Sequence, residues 1–215
     1  MKKFYHSTTF DFSPQAKQWV LDKYRAKFEK ETFGHNTDLT QYTEPAQEEW
    51  LASSVGQELT AYLATYGCDT KFFGINAILC NLGDPDPHID TKIDVTDGTV
   101  HQIKSRFNVL VLGKSSDTLT WWGDFEYGDS RVVDTQFLAP NGHYYTNKSV
   151  PGKSKQERWD YLGTPSLIAG NVYTPSAFIK TDCAHTVSCT PGPRLIVVVS
   201  LDKSIEEILD STRVS

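Results

Sequence analysis

The sequence predicts a mainly β protein with flanking helices, of the sandwich or jelly-roll type. Two helical patterns occupy the first part of the chain and end at Gly67. Beyond them, short β-rich runs follow one another with no helix between them, punctuated by Gly, Pro, Asn and Asp. Many short strands without intervening helices close into two packed sheets rather than an α/β layer. At 215 residues and 39% hydrophobic, the chain suits one domain, residues 1–215, with a substantial core.

The first helix opens at Ser13-Pro14, a cap followed by Pro at the first helical position. Trp19, Val20, Tyr24 and Phe28 recur near helical spacing. His35-Asn36-Thr37-Asp38 reads as a loop, and Thr43-Glu44-Pro45 repeats the start signal. Trp50, Leu51, Val55, Leu59, Tyr62 and Leu63 give the second helix an apolar face. Residues 1–67 are therefore mostly helical, and both helices are expected on one outer sheet face. A β core over 68–201 comes next. Its runs are Lys71–Leu82, His88–Ile93, Arg106–Leu112, Thr118–Trp122, Arg131–Phe137, Ser166–Tyr173, Ala177–Cys183 and Arg194–Leu201. Asn141–Leu162 is long and polar, with Gly142 and Gly152, and reads as a flexible loop or lid. A short closing helix over Asp202–Leu209 and a tail complete 202–215.

Composition narrows the function classes. With 22% charged residues and no apolar run near the roughly 20 needed to span a bilayer, a membrane role is not expected. Met1–Thr9 has the charges of a signal peptide without its apolar core, so a cytoplasmic location is the expectation. Cys68, Cys80, Cys183 and Cys189 form no CxxC, which favours reduced thiols over a disulfide or zinc frame. A net charge of −6 argues against general nucleic-acid binding. Lys148, Lys153, Lys155 and Arg158 cluster, but in the polar segment that reads as a solvated loop.

The chemistry-bearing stretch is Pro87-His88-Ile89-Asp90. In extended chain, residues i and i+2 share a face, so His88 and Asp90 can meet one ion. His185, far downstream in another predicted strand, is the candidate third ligand. Two imidazoles and one carboxylate leave coordination positions open, the donor set of non-haem Fe(II) oxygenases. Arg194 then opens the apolar run Arg194–Ser200, and its planar fork suits a carboxylate.

His-x-Asp, a distant His, and an Arg shortly after it in a β-rich chain resemble the Fe(II)/2-oxoglutarate-dependent dioxygenases, in particular the prolyl-hydroxylase-like branch. The resemblance runs from about Phe72 to Leu201. It implies a double-stranded β-helix, the cupin-like jelly roll. It also implies Fe(II) held by His88, Asp90 and His185, with 2-oxoglutarate and O2 as co-substrates and ascorbate as a supporting reductant. Arg194 is then the anchor of the 2-oxoglutarate C5 carboxylate. The implied reaction hydroxylates an amino-acid side chain, peptidyl or free, or a small metabolite, and releases succinate and CO2. The implied partners are a small-molecule co-substrate and a protein, peptide or small-metabolite substrate. One departure stands out: many members carry Ser two residues after the Arg, whereas this chain has Ile196. Two other readings use the same fold: a non-enzymatic cupin-like binding protein, and a Zn- or Mn-dependent cupin isomerase or hydrolase.

Lesser candidates follow from strand alternation. Asn108 shares a face with Leu110 and Leu112; turned inward, it needs a hydrogen-bond partner and becomes a co-substrate candidate. Arg106 is expected at the pocket rim toward substrate. Thr118, Thr120 and Trp122 share a face expected to line the co-substrate site, with Trp121 facing away. Tyr173 and Thr181 are weaker candidates of the same kind. His6, His35, His101 and His143, together with Asp86 and Asp94, read as structural or solvated groups.

Overall fold

The computed structural model describes residues 3–30, 40–42, 47–70, 75–80, 87–93, 100–113, 118–138, 144–188 and 194–212. The expected loop at 35–38, the Thr43–Pro45 start signal, Asp86, Asp94, His143 and Cys189 lie outside these residues. The first half of the chain runs β1 (Tyr5–Thr8), α1 (Pro14–Lys30), β2 (Thr40–Tyr42), α2 (Gln47–Ala52), α3 (Ser54–Ala64), β3 (Ile75–Cys80), β4 (Thr91–Ile93), β5 (Val100–Gln102) and β6 (Ser105–Leu112). The second half runs β7 (Thr118–Glu126), β8 (Val133–Leu138), β9 (Tyr144–Ser149), α4 (Lys155–Leu162), β10 (Leu167–Gly170), β11 (Ser176–Lys180), β12 (Cys183–Ser188), β13 (Arg194–Leu201) and α5 (Ile205–Ser211). No helix among the described residues is long and apolar enough to cross a membrane.

The strands form a jelly roll. One antiparallel sheet has the order β1-β11-β6-β13-β3-β2, and the facing one β10-β7-β12. His88 extends the second sheet by bridging His185 of β12 on one side and Ser149 of β9 on the other. The β8–β9 pair then continues beyond it.

Strand β13 is central to the large sheet and buried at every position. Its near-continuous apolar run reflects cover on both faces. Leu195, Val197, Val199 and Leu201 pack outward with Phe107 and Val109 of β6 against the helices. There they meet Ala16, Val20 and Tyr24 of α1, Trp50 of α2, and Leu59 and Leu63 of α3. The expected packing of the N-terminal helices on one sheet is what the structure has. The alternate residues face the interior, where Ile196, Val198 and Leu110 form a small cluster.

Helix starts follow their side chains. Ser13 Oγ accepts from Ala16 N–H at 3.2 Å, and Glu58 of α3 accepts from both Ser13 N–H and Oγ–H, which ties α1 to α3. The second predicted helix is two. Ser53 donates to the Trp50 carbonyl and accepts from Gly56 N–H, so it ends α2 and caps α3. Gly56 permits the break, because a Cβ there would collide with the Trp50 carbonyl. Ser204 and Glu207 form a capping box at the start of α5. Ser204→Ala is expected to cost about 1 kcal/mol, read as a lower urea midpoint with an unchanged m-value; an unchanged midpoint would contradict this account of the cap.

The described part of Asn141–Leu162 is regular structure rather than an irregular loop. It forms β9, which pairs with β8, and the helix α4, capped by Ser154 accepting from Glu157 N–H. Trp159 of α4 packs edge-on against Trp122 with ring centroids 4.8 Å apart, covering the outer face of the second sheet. Polar composition marks the solvent side of these elements; two apolar anchors, Trp159 and Leu162, seat the helix.

Candidate metal centre and anion pocket

His88, Ile89 and Asp90 form extended chain held from both sides. His88 and His185 exchange backbone N–H···O=C bonds at 3.0 Å, and Asp90 N–H donates to the Thr181 carbonyl at 2.9 Å. Alternation does the rest. Ile89 is buried with Trp122 and Ala184, which leaves His88 and Asp90 on the other side. His185, next to Ala184, faces that same side.

One ligand atom from each of His88, Asp90 and His185 lies within 4.8 Å of the others. His88 Nε2 is 3.5 Å from Asp90 Oδ1, and His185 Nε2 is 3.8 Å from Asp90 Oδ2. His185 Nδ1 lies 2.9 Å from the Cys183 carbonyl. A carbonyl only accepts, so Nδ1 carries the proton and Nε2 keeps its lone pair for the cluster. Burial first, then the neighbouring His88, pushes the His185 imidazole down to about 4. It is therefore neutral at pH 7, the form that binds metal. Burial pushes the Asp90 carboxyl up, but Arg106, His185 and His88 together outweigh it and hold it below its ordinary value. An ionised carboxylate and a neutral, oriented imidazole converge with His88, a donor set that fits a divalent transition metal.

Arg106 of β6 reaches the same carboxylate. Its Nε lies 2.8 Å from Asp90 Oδ2, an ion pair that lacks hydrogen-bond alignment. The pocket beyond contains about 440 Å³ of empty space, part of it open to solvent. Arg106 and Asn108 of β6 and Arg194 and Ile196 of β13 line its large-sheet side. Ile179 of β11, Leu119 of β7, Val187 of β12 and Tyr173 complete the wall. Arg194 is 4% exposed, with its guanidinium carbon 5.5 Å from the centroid of the Tyr173 ring. Asn108 is also buried, and its Oδ1 has no hydrogen-bond partner among the described residues. A buried amide oxygen of this kind is costly unless a ligand or water satisfies it.

The structure thus brings His88, Asp90, His185, Arg106, Asn108 and Arg194 to one pocket. It corrects Trp122. That side chain lies on the outer face, with Nε1–H donating to the Gly163 carbonyl at 2.9 Å. Leu119 and Trp121 face the interior instead. Thr120 and Thr181 do not line the pocket, and Thr181 Oγ–H donates to the Ile103 carbonyl. Arg106, expected at the rim toward substrate, is paired with Asp90 inside. Sequence reading missed Leu119, Val187 and Ile179. As plain apolar strand residues, they carry no local sign of which face is lined. Among the described residues, His6 and His101 lie outside the cluster.

No protein-family model and no curated protein sequence matches the chain. Solved structures similar to it include the viral collagen prolyl hydroxylase vCPH from Paramecium bursaria Chlorella virus-1 in its 2OG complex. That match has 11% identity and a TM-score of 0.41, over 93% of this chain and 95% of that one. HygX from Streptomyces hygroscopicus, with nickel and 2-oxoglutarate bound, matches at 9% identity and a TM-score of 0.41, over 94% and 82%. The L-ribose isomerase of Geodermatophilus obscurus matches at 15% identity and a TM-score of 0.33, over 90% and 86%.

Proposed function

We propose that the protein is an Fe(II)- and 2-oxoglutarate-dependent oxygenase that hydroxylates an amino-acid side chain, peptidyl or free, or a small metabolite. The observation that carries this reading is one pocket with a His-Asp-His cluster and a buried arginine among otherwise largely apolar walls. His88, Asp90 and His185 hold the iron in this reading, and Arg194 takes the distal carboxylate of the co-substrate. With both bound, the ion supplies oxidising chemistry driven by O2 and by conversion of 2-oxoglutarate to succinate and CO2.

The protein's own groups supply geometry. The Cys183 carbonyl fixes the His185 tautomer and ring direction. Leu119, Ile179, Val187 and Ile196 exclude water along the walls, which strengthens the Arg194–carboxylate contact. Asn108 Nδ2–H donates the second polar contact to that carboxylate, the role left open by Ile196 in place of a serine. The His88 side chain is 36% exposed against 6% for Asp90 and 7% for His185, so substrate approaches past His88.

The test is anaerobic addition of Fe(II) and 2-oxoglutarate. The expected result is the weak visible charge-transfer band of a chelated 2-oxo acid, followed by succinate formation on admitting air. A protein that binds Zn(II) or Mn(II) yet is indifferent to 2-oxoglutarate would be an isomerase, hydrolase or binding protein instead. Arg194→Ala is expected to weaken 2-oxoglutarate binding by about 2–5 kcal/mol, the loss typical of a desolvated charge-assisted pair. Metal affinity should change far less. Calorimetric titration of each ligand separates the two, and unchanged 2-oxoglutarate affinity would move the anchor elsewhere.

A further inference from the structure

Arg106 is an unexpected neighbour for a metal cluster. Its guanidinium contacts Asp90 Oδ2 at 2.8 Å, and Oδ2 is the carboxylate oxygen facing His185 Nε2 at 3.8 Å. An ion drawn between Asp90 and His185 therefore competes with Arg106 for that oxygen. Among the described residues, the charged groups lining the pocket are the guanidiniums of Arg106 and Arg194 and the carboxylate of Asp90. A divalent ion adds two positive charges beside the Arg106 guanidinium, and a dianionic ligand offsets them. Charges in such a confined, largely apolar space interact strongly because little water screens them.

We propose that Arg106 makes metal binding and dicarboxylate binding interdependent. The arginine opposes a lone divalent ion, and a dianion in the pocket relieves that opposition, so each ligand raises the affinity of the other. By linkage the two enhancement factors are equal. The metal is thus retained when the dianionic co-substrate is present and held weakly when it is absent. This inference rests on reading the pocket as a metal and dicarboxylate site. Arg106 acts through Asp90 and through its charge, and is a positioning residue.

The experiment titrates Mn(II) into the protein and follows the free ion by electron paramagnetic resonance. Three conditions are compared: no anion, saturating succinate, and saturating 2-oxoglutarate. Succinate carries the two charges but has no oxo group to chelate, so it isolates the charge effect. In the wild type both anions should tighten Mn(II) binding. Arg106→Gln should tighten binding of Mn(II) alone by about tenfold, a modest share of what removing a nearby positive charge at an effective dielectric near 20 allows. The enhancement by succinate should shrink by the same factor. Arg106→Lys keeps the charge and should behave as the wild type. Arg106→Met removes the charge while filling the space, and reports the same quantity if the Gln variant does not fold. Equal or weaker Mn(II) affinity in both uncharged variants without anion overturns the proposal. If 2-oxoglutarate tightens Mn(II) no more than succinate does in the wild type, the co-substrate reading fails. The claim for Arg106 is still decided by the arms with no anion and with succinate.

Discussion

Asp90→Ala is expected to lower divalent-metal affinity by more than about 100-fold, since losing even an outer-shell partner of a ligand typically costs 10–100-fold. The same substitution strips Arg106 of its carboxylate inside the pocket. Breaking a fully buried pair from one side costs about 3–5 kcal/mol, and with Arg106 half-buried the expected loss is at or below the lower end of that range. Asp90→Ala should therefore lose both metal binding and thermal stability. His185→Ala removes a ligand but strands no charge, so metal affinity should collapse with a smaller fall in Tm. Calorimetric titration with a thermal melt of each variant checks both claims. Near-normal metal affinity in either variant would remove that residue from the triad. Equal losses of Tm would mean that the Arg106–Asp90 pair contributes little to the fold.

Phe107→Ala is the second large effect. Phe107 is fully buried on the outer face of β6, among Phe10, Tyr62 and Phe178 at ring-centroid distances of 5.8, 5.4 and 4.7 Å. Truncation removes the ring's transfer free energy and leaves a cavity beneath α1 and α3, an expected loss of about 3–5 kcal/mol. Its neighbours Arg106 and Asn108 point to the opposite face. A sample held well below its melting temperature should thus bind metal as the wild type does. Urea unfolding gives the first quantity and metal titration the second. A loss under about 1.5 kcal/mol, or impaired metal binding in the folded variant, would contradict this division of the strand.

The two predictions test opposite sides of the large sheet, since Asp90 meets Arg106 on the inner face of β6 and Phe107 lies on its outer face, and such alternation is also why much of the site could be read from the residues. His88 and Asp90 flank an apolar Ile89, so extended chain alone puts both polar groups on one side. Arg194 heads a strand whose cover on both faces makes it an unbroken apolar run, and a charge at that end called for a partner. The start of α1 at Ser13, the closing helix α5 and most of the β-rich remainder were legible for the same local reason.

Where both faces of a strand are covered, alternation no longer says which is which. Trp121 and Trp122 are both fully buried, one against the facing sheet and one beneath α4, so the expected face was the wrong one. Segment Asn141–Leu162 looked like a loop because its apolar anchors, Trp159 and Leu162, find their partners in β7 and its surroundings. The short strands β1 and β2 add to sheet edges made by residues far away in the chain. The pairing of Arg106 with Asp90 belongs to this class as well. Periodicity, caps and the His-x-Asp spacing are properties of a few consecutive residues, set by backbone geometry, and survive in any context. Face choice, edge pairing and the charge beside Asp90 depend on which distant segments close over them, and that follows from burial across the whole fold.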